Sequence, residues 1–215
     1  MPLKRYSSTR QPAFLFDLDG TLVDSVYEHV LAWREAFEHI DIHLSTWSIH
    51  RRMGMSGGML VHAVEREAER RLTPAEIAKV RQYHADAYGR RAGQVRALPG
   101  ARELLRELSR LGVLWAIATS GKREEVEKPL RLLGLRSNVP VVTRSEVKHA
   151  KPDPDLFLAA AEKLGIPLEH CLVVGDSVWD LLAAQRARAL GIGLLSGGFG
   201  QEELERAGAY RVYRD

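Results

Sequence analysis

The sequence predicts an α/β protein whose parallel sheet is covered by helices on both faces and interrupted early by a helical insertion. Three observations predict it. After residue 97, short apolar runs alternate with helical patterns, the order expected of parallel strands joined by crossover helices. One further apolar run, Ala13-Phe14-Leu15-Phe16, stands near the N-terminus. Between them, residues 22–96 show helical periodicity and no convincing strand.

The elements follow in order. Ala13 to Phe16 reads as a buried strand ending in the corner Asp17-Leu18-Asp19-Gly20-Thr21, where Gly20 turns the chain sharply. Val26, Val30, Trp33, Phe37 and Ile40 recur every three or four residues and define one face of a helix, with Asp24 or Ser25 at its cap. Ser45 to Arg52 and Ser56 to Arg71 read as two further helices, separated by Gly54. Thr73-Pro74 is a cap followed by proline at the first helical position, and this helix should run to about Tyr88.

After Pro99-Gly100, Leu104, Leu105, Leu108 and Leu111 form a helical stripe. Val113 to Ala118 reads as a strand. Lys122 to Leu133 reads as a helix, kinked at Pro129, that Gly134 can end. Val139 to Val142 is a strand. Asp153 should cap a helix from Pro154 to near Gly165. Leu172 to Gly175 is a strand, Val178 to Leu190 a helix, and Ile192 to Leu195 the last strand. The expected division is therefore a core of residues 1–21 and 97–215 and a helical insertion of residues 22–96. The insertion begins directly after the Asp17/Asp19 corner, where a second unit can act as a lid.

Composition narrows the function. The chain has 215 residues, enough for one large domain or a domain with an insertion. Its formal net charge is +3 with no dense basic block, which argues against nucleic acid and suits a small anionic substrate. No apolar run is long enough to span a membrane. Met1 to Gln11 is polar and basic without an apolar stretch, so it is not read as a secretory signal. The single Cys171 permits no internal disulfide, and a cytoplasmic location is expected. Oligomeric state cannot be read from this sequence.

Four strand ends carry the chemistry. Asp17 and Asp19 emerge where open α/β sheets bind ligands, two residues apart and on one face of an extended chain. One carboxylate can attack an electrophile while the other moves a proton, or the pair can help hold a divalent cation. The same pattern also occurs in ordinary turns and calcium loops. Thr119-Ser120-Gly121 follows the second strand, where a hydroxyl and backbone N–H groups can bind phosphate oxygens or simply cap a helix. Lys151-Pro152 follows the third strand. Pro152 keeps Lys151 extended, so that the lysine can neutralise a phosphoryl group or remain a solvated loop residue. Asp153 and Asp155 are better explained as helix-capping acids. Asp176 ends the fourth strand, and Asp180 lies in the first turn of the next helix. Asp176 can join Asp17 at a magnesium site, and Asp180 is a helix-start acid or an outer holder of the ligands.

In order, Asp17-Leu-Asp19-Gly-Thr, Thr119-Ser120, Lys151-Pro152 and Gly175-Asp176-Ser-Val-Trp-Asp180 resemble the four motifs of the haloacid dehalogenase-like phosphohydrolase superfamily. The match spans about residues 13 to 195. The insertion after the first motif is similar to that of the phosphoglycolate phosphatase and β-phosphoglucomutase branch. The resemblance implies a three-layer, Rossmann-like core with a five-stranded parallel sheet and an all-helical cap. It also implies a Mg²⁺-dependent phosphatase of a small phosphorylated metabolite, acting through an aspartyl-phosphate. In that reading Asp17 is the nucleophile and Asp19 the proton donor and acceptor. Mg²⁺ lies on the Asp17 side chain, the Asp19 backbone carbonyl and the Asp176 side chain, with Asp180 behind. Thr119, the Ser120 and Gly121 backbone, and Lys151 hold the phosphoryl oxygens. Asp19 argues against the superfamily's dehalogenases. Having only Lys79 among residues 22–96 argues against its Schiff-base phosphonate hydrolases. A phosphomutase would use the same core residues. A protein that binds phosphate ligands without turnover is the remaining alternative.

Substrate choice in this branch resides in the cap. The candidates are Glu28 and His29 on the first cap helix, and Arg51 and Arg52 before Gly54. An arginine there would meet a carboxylate or second phosphate in bidentate fashion. Gly54, Gly57 and Gly58 would allow close backbone approach, and Arg144 and Ser145 are weaker candidates.

Overall fold

The computed structural model describes residues 12–135 and 139–215, so the polar, basic stretch Met1 to Gln11 lies outside the described residues. Strand β1 (Ala13–Phe16) matches its expected limits. Then come β2 (Val23–Asp24) and four helices: α1 (Val26–Glu38), α2 (Thr46–His50), α3 (Gly57–Glu67) and α4 (Pro74–Arg91). The chain continues through β3 (Arg96–Ala97), α5 (Ala101–Arg110), β4 (Trp115–Ala118), α6 (Arg123–Leu132), β5 (Val141–Val142) and α7 (Asp155–Leu164). It ends with β6 (Cys171–Gly175), α8 (Val178–Arg186), β7 (Leu190–Leu194), α9 (Gln201–Arg206) and β8 (Ala209–Tyr213).

The main sheet is parallel, in the order β5-β4-β1-β6-β7-β8. The chain leaves β1 for one flank and returns to the other, so β1 marks the switch point where such sheets bind ligands. Alternate residues of β1 explain the two layers. Phe16 joins Ile117, Val174, Leu105 and Val126 beneath α5 and α6. Ala13 and Leu15 face the other way and join Ala116, Val173, Phe157 and Ala183 beneath α7 and α8. Helices α1 to α4 enclose a separate core that includes Val30, Phe37, Ile49, Leu60, Val64 and Val80.

Several expectations need correction. The sheet has six strands rather than five, because β8 pairs with β7 at the edge. Residues 22–96 are not wholly helical: Val23 pairs with Ala97 and Asp24 with Arg96, an antiparallel ribbon where the chain enters and leaves the helical unit. Helix α3 stops at Glu67 rather than Arg71, and Glu69 is left-handed at φ 49°. Helix α8 stops at Arg186, Arg188 is left-handed at φ 56°, and Leu190 opens β7. The N-cap of α7 is Pro154, and Asp153 instead pairs with Arg186. Of the four leucines in the α5 stripe, Leu105 and Leu108 are buried, whereas Leu104 and Leu111 are exposed.

Candidate active site

Asp17 stands at the carboxyl end of the central strand, and its N–H donates to Val174 O at 2.8 Å. The buried Lys151 ammonium lies between Asp17, to which it donates, and Asp180 Oδ1, 2.8 Å away. The peptide from Lys151 to Pro152 is cis. Asp180 Oδ2 accepts from the Ser177 N–H at 3.1 Å and the Ser177 hydroxyl at 2.5 Å, a capping box that fixes the carboxylate at the start of α8. Asp176 is buried nearby and accepts from the Thr21 hydroxyl at 2.9 Å. Gly20 and Gly197 both pass so close that a Cβ on either would enter the Asp176 carboxylate.

One oxygen from each of Asp17, Asp176 and Asp180 lies within 4.8 Å of the others. Three buried carboxylates against one ammonium leave a negative excess, and two buried oxygen donors beside a backbone loop suit a hard divalent cation. The residues present therefore fit Mg²⁺. The electrostatics agree. Burial raises the Asp17 pKa to about 7, with Lys151 pulling it down and Asp180 and Asp19 pushing it up. Burial also raises Asp176 well above the carboxylate range, helped by Asp180 and Asp17. For Lys151, burial works against the charge, but Asp17 and Asp180 outweigh it and raise the pKa.

Asp19 has different surroundings. Its Oδ1 accepts from the Ser25 hydroxyl at 2.6 Å and lies 3.5 Å from His29 Nε2. Burial works to raise its pKa, but His29, Ser25 and Lys151 together bring it below the usual value. Ser25 is the N-cap residue of α1, as expected, yet its hydroxyl serves Asp19 instead of the helix. His29 Nδ1 in turn lies 3.2 Å from His84 Nε2, and the His29 ring stacks on Tyr88 at 3.8 Å. His84 stacks on Trp33 at 4.0 Å.

Thr119, at the end of β4, is buried, and its Oγ1 accepts from the Gly121 N–H at 3.0 Å. Gly121 thus spends its N–H on Thr119. The Ser120 hydroxyl donates to Gly54 O at 2.9 Å, tying the β4 loop to the turn after α2.

A cavity of about 350 Å³ opens over these groups. Asp17, Asp19, Asp176, Thr119, Ser120 and Gly121 line its floor. His29, Trp33, Gly54, Gly57, Gly58, Arg81 and His84 of the helical unit line the facing side, and Lys122 and Arg144 line the rim. Lys151 and Asp180 lie behind the floor.

The structure does not bring the other cap candidates to the cavity. Arg51 pairs with Glu203 and lies over the Phe199 ring at 4.8 Å from its centroid. Arg52 pairs with Glu67 and donates to the Ser48 hydroxyl at 2.7 Å. Glu28 Oε2 lies 4.0 Å from Arg91 Nε. Both arginines are thus spent on protein acids. Arg81 and His84 were missed by the sequence reading. The signal was one face of α4, on which Arg81, His84 and Tyr88 recur at three and four residues among apolar positions.

Fold and site together define a hydrolase of the open parallel-sheet α/β class with an acidic centre at the strand ends. The chain belongs to the haloacid dehalogenase-like hydrolase family, whose model matches residues 12–188. It is 34% identical over 188 residues to hexitol phosphatase A of Escherichia coli, a match covering 83% of this chain and 80% of that one. It is 30% identical over 190 residues to a phosphoglycolate phosphatase of Agrobacterium fabrum, covering 86% and 81%. Among solved structures, a hydrolase from Pseudomonas syringae superposes with a TM-score of 0.93 at 50% identity, covering 95% of this chain and 94% of that one.

Proposed function

We propose that this chain is a Mg²⁺-dependent phosphatase of small phosphomonoesters that acts through an aspartyl-phosphate, with residues 22–96 as its cap. The observation that carries this reading is the position of Asp17. It ends the central strand, shares Lys151 with Asp180, neighbours Asp176, and opens onto a cavity that also holds Asp19 and Thr119. The names of the two curated relatives support a phosphate ester as substrate.

The Asp17 carboxylate attacks phosphorus, forming an acyl-phosphate bond as the ester P–O bond breaks. Asp19 gives its proton to the departing oxygen. It then takes one from the water that attacks the same phosphorus, freeing phosphate and restoring Asp17. Asp19 rests as the carboxylate, so it must gain a proton before the first step. Ser25 and His29 hold it in place for both. Thr119 Oγ1 orients the non-bridging oxygens as charge redistributes, while the Lys151 ammonium, behind the floor, holds Asp17 in place and supplies positive charge there. Asp17, the Asp19 carbonyl and Asp176 would hold the Mg²⁺, with Asp180 fixing the shell from behind. When bound, that ion favours the ionised form of Asp17 and screens its repulsion from the phosphate.

The test is phosphate release from a panel of small phosphomonoesters, with and without Mg²⁺, alongside Asp17→Asn checked for folding by circular dichroism. Magnesium-dependent release that Asp17→Asn abolishes is the expected result. No release from any ester, with interconversion of sugar-phosphate isomers instead, would assign the site to a phosphomutase.

A further inference from the structure

Most arginines of the helical unit are committed to protein acids, and Arg81 is not. Arg51 pairs with Glu203, Arg52 with Glu67, Arg70 with Glu76, and Arg90 and Arg91 with Glu35. Arg81 has no carboxylate or carbonyl partner among the described residues, although it lines the cavity that holds Asp17 and Thr119.

The surrounding chain leaves room for its guanidinium. A Cβ at Gly58 would lie 3.0 Å from Arg81 Nη2, closer than side-chain carbons normally come, and a Cβ at Gly57 would lie 3.0 Å from Trp33 Cζ2. The two glycines therefore leave room in the cavity beside Arg81 and Trp33. Lys122 lies on the same cavity from the opposite side of the cleft, at the start of α6, and its ammonium also has no carboxylate partner among the described residues. Two further charged groups, Glu125 and Arg144, line the same cavity, and both make hydrogen bonds to backbone. Glu125 accepts from the Lys122 backbone N–H at 3.1 Å, and the Arg144 guanidinium donates to Val147 O at 2.6 Å and Lys148 O at 3.2 Å.

In the phosphatase reading the acidic floor accounts for the cation and the phosphoryl group, so two uncommitted cations lining the same cavity ask for a second anion. We infer that Arg81, opposed by Lys122, sets substrate choice by holding a second anionic group, a carboxylate or a phosphate, at the far end of a short phosphomonoester. The guanidinium fork suits the two oxygens of such a group, and Lys122 adds a point charge. The inference rests on the phosphatase reading for where the phosphoryl end lies. Arg81 is a specificity residue in this account and takes no part in bond breaking.

Two matched pairs of compounds test it. The esters 3-phosphoglycerate and glycerol 3-phosphate differ in a carboxylate against a neutral alcohol at the far end. The non-hydrolysable 3-phosphonopropionate and propylphosphonate differ in the same sense. With Mg²⁺ present, the protein should turn over the carboxylate ester with the higher kcat/KM and bind the carboxylate phosphonate more tightly by calorimetry. Arg81→Gln should cut both preferences by roughly 10- to 100-fold, through KM rather than kcat, and leave the neutral compounds unchanged. Arg81→Lys should restore part of the preference, and Arg34→Gln, on α1 and paired with Glu38, should change nothing. No preference for the carboxylate compound, or equal losses on both members of each pair in Arg81→Gln, would overturn the assignment. If no ester is turned over but the phosphonates still discriminate through Arg81, the phosphatase reading falls and the anion site stands.

Discussion

Lys151 Nζ lies 2.8 Å from Asp180 Oδ1, and both side chains are fully buried. The same ammonium donates to Asp17, so one cation compensates two carboxylates. Removing one member of a buried ion cluster leaves the others uncompensated, at a cost of about 3–5 kcal/mol. Lys151→Met should therefore lower stability to urea by roughly that amount, and Asp180→Asn by less, because Lys151 keeps Asp17. A Lys151→Met protein as stable as the parent would show that the ammonium does not hold this cluster.

Magnesium should stabilise the folded chain, and Asp176→Asn should abolish that effect. The sign of the metal-free comparison follows from the raised Asp176 pKa. A carboxyl whose folded pKa is raised contributes stability below its unfolded value, near 3.8, and loses it as pH rises through the folded value. The metal-free parent loses that contribution as pH rises, and the asparagine does not. Thermal melts should therefore show Asp176→Asn gaining on the metal-free parent as pH is raised and unmoved by Mg²⁺, while the parent gains with the ion. A variant that still gains with Mg²⁺ would remove Asp176 from the metal site.

The strands that build the site were legible because each is a short apolar run ending in a polar corner, a purely local signal. Ala13–Phe16 and Trp115–Ala118 are of this kind, and they place Asp17 and Thr119 directly. Strand β8 was not legible, because Ala209-Tyr-Arg-Val-Tyr is an edge strand with largely exposed side chains and no apolar run. The β2–β3 ribbon has two residues per strand, too few for any period to show. Arg51 and Arg52 misled for a different reason. Their charge and their place before Gly54 can be read from sequence, but the side on which Glu203 and Glu67 wait is set by tertiary packing.

His84 predicts a pH dependence of stability. Burial and the neighbouring His29 and Lys122 hold its pKa well below 6.5, against a smaller opposing pull from Asp19. The unfolded chain therefore binds a proton at His84 below about pH 6.5 that the folded chain refuses, and stability falls as pH drops. The slope from this group approaches about 1.4 kcal/mol per pH unit. Urea midpoints of the parent should fall more steeply between pH 7 and 5 than those of His84→Asn. Parallel slopes would mean that His84 is protonated in the folded state.

Arg51→Ala and Arg52→Ala test the displaced expectation directly. Arg51 and Glu203 are 40% and 38% exposed, so their ion pair contributes under about 1 kcal/mol. Neither variant should change KM for the preferred ester by more than about twofold, since neither guanidinium lines the cavity. A tenfold rise in KM for either would return that arginine to the substrate.

Gly197 connects the helical unit to the acidic centre. Its carbonyl accepts from His50 Nε2 at 2.7 Å, and its Cα hydrogen is all that fits against Asp176, because a Cβ there would overlap the carboxylate. The neighbouring Ser196 hydroxyl donates to Gly20 O at 2.6 Å, which pins this loop to the turn that carries Asp19. The Gly197 backbone is held by His50, so Gly197→Ala must displace the Asp176 carboxylate from its place in the proposed Mg²⁺ site. Its expected signature is weaker Mg²⁺ binding by calorimetry, by 10-fold or more on the order of a lost ligand-positioning contact, with the far-ultraviolet spectrum unchanged. Gly89→Ala, in α4 with nothing within 4 Å of its Cβ, should keep full Mg²⁺ affinity and gain up to about 1 kcal/mol of stability. Equal Mg²⁺ affinity in the two variants would show that the loop after β7 moves independently of Asp176.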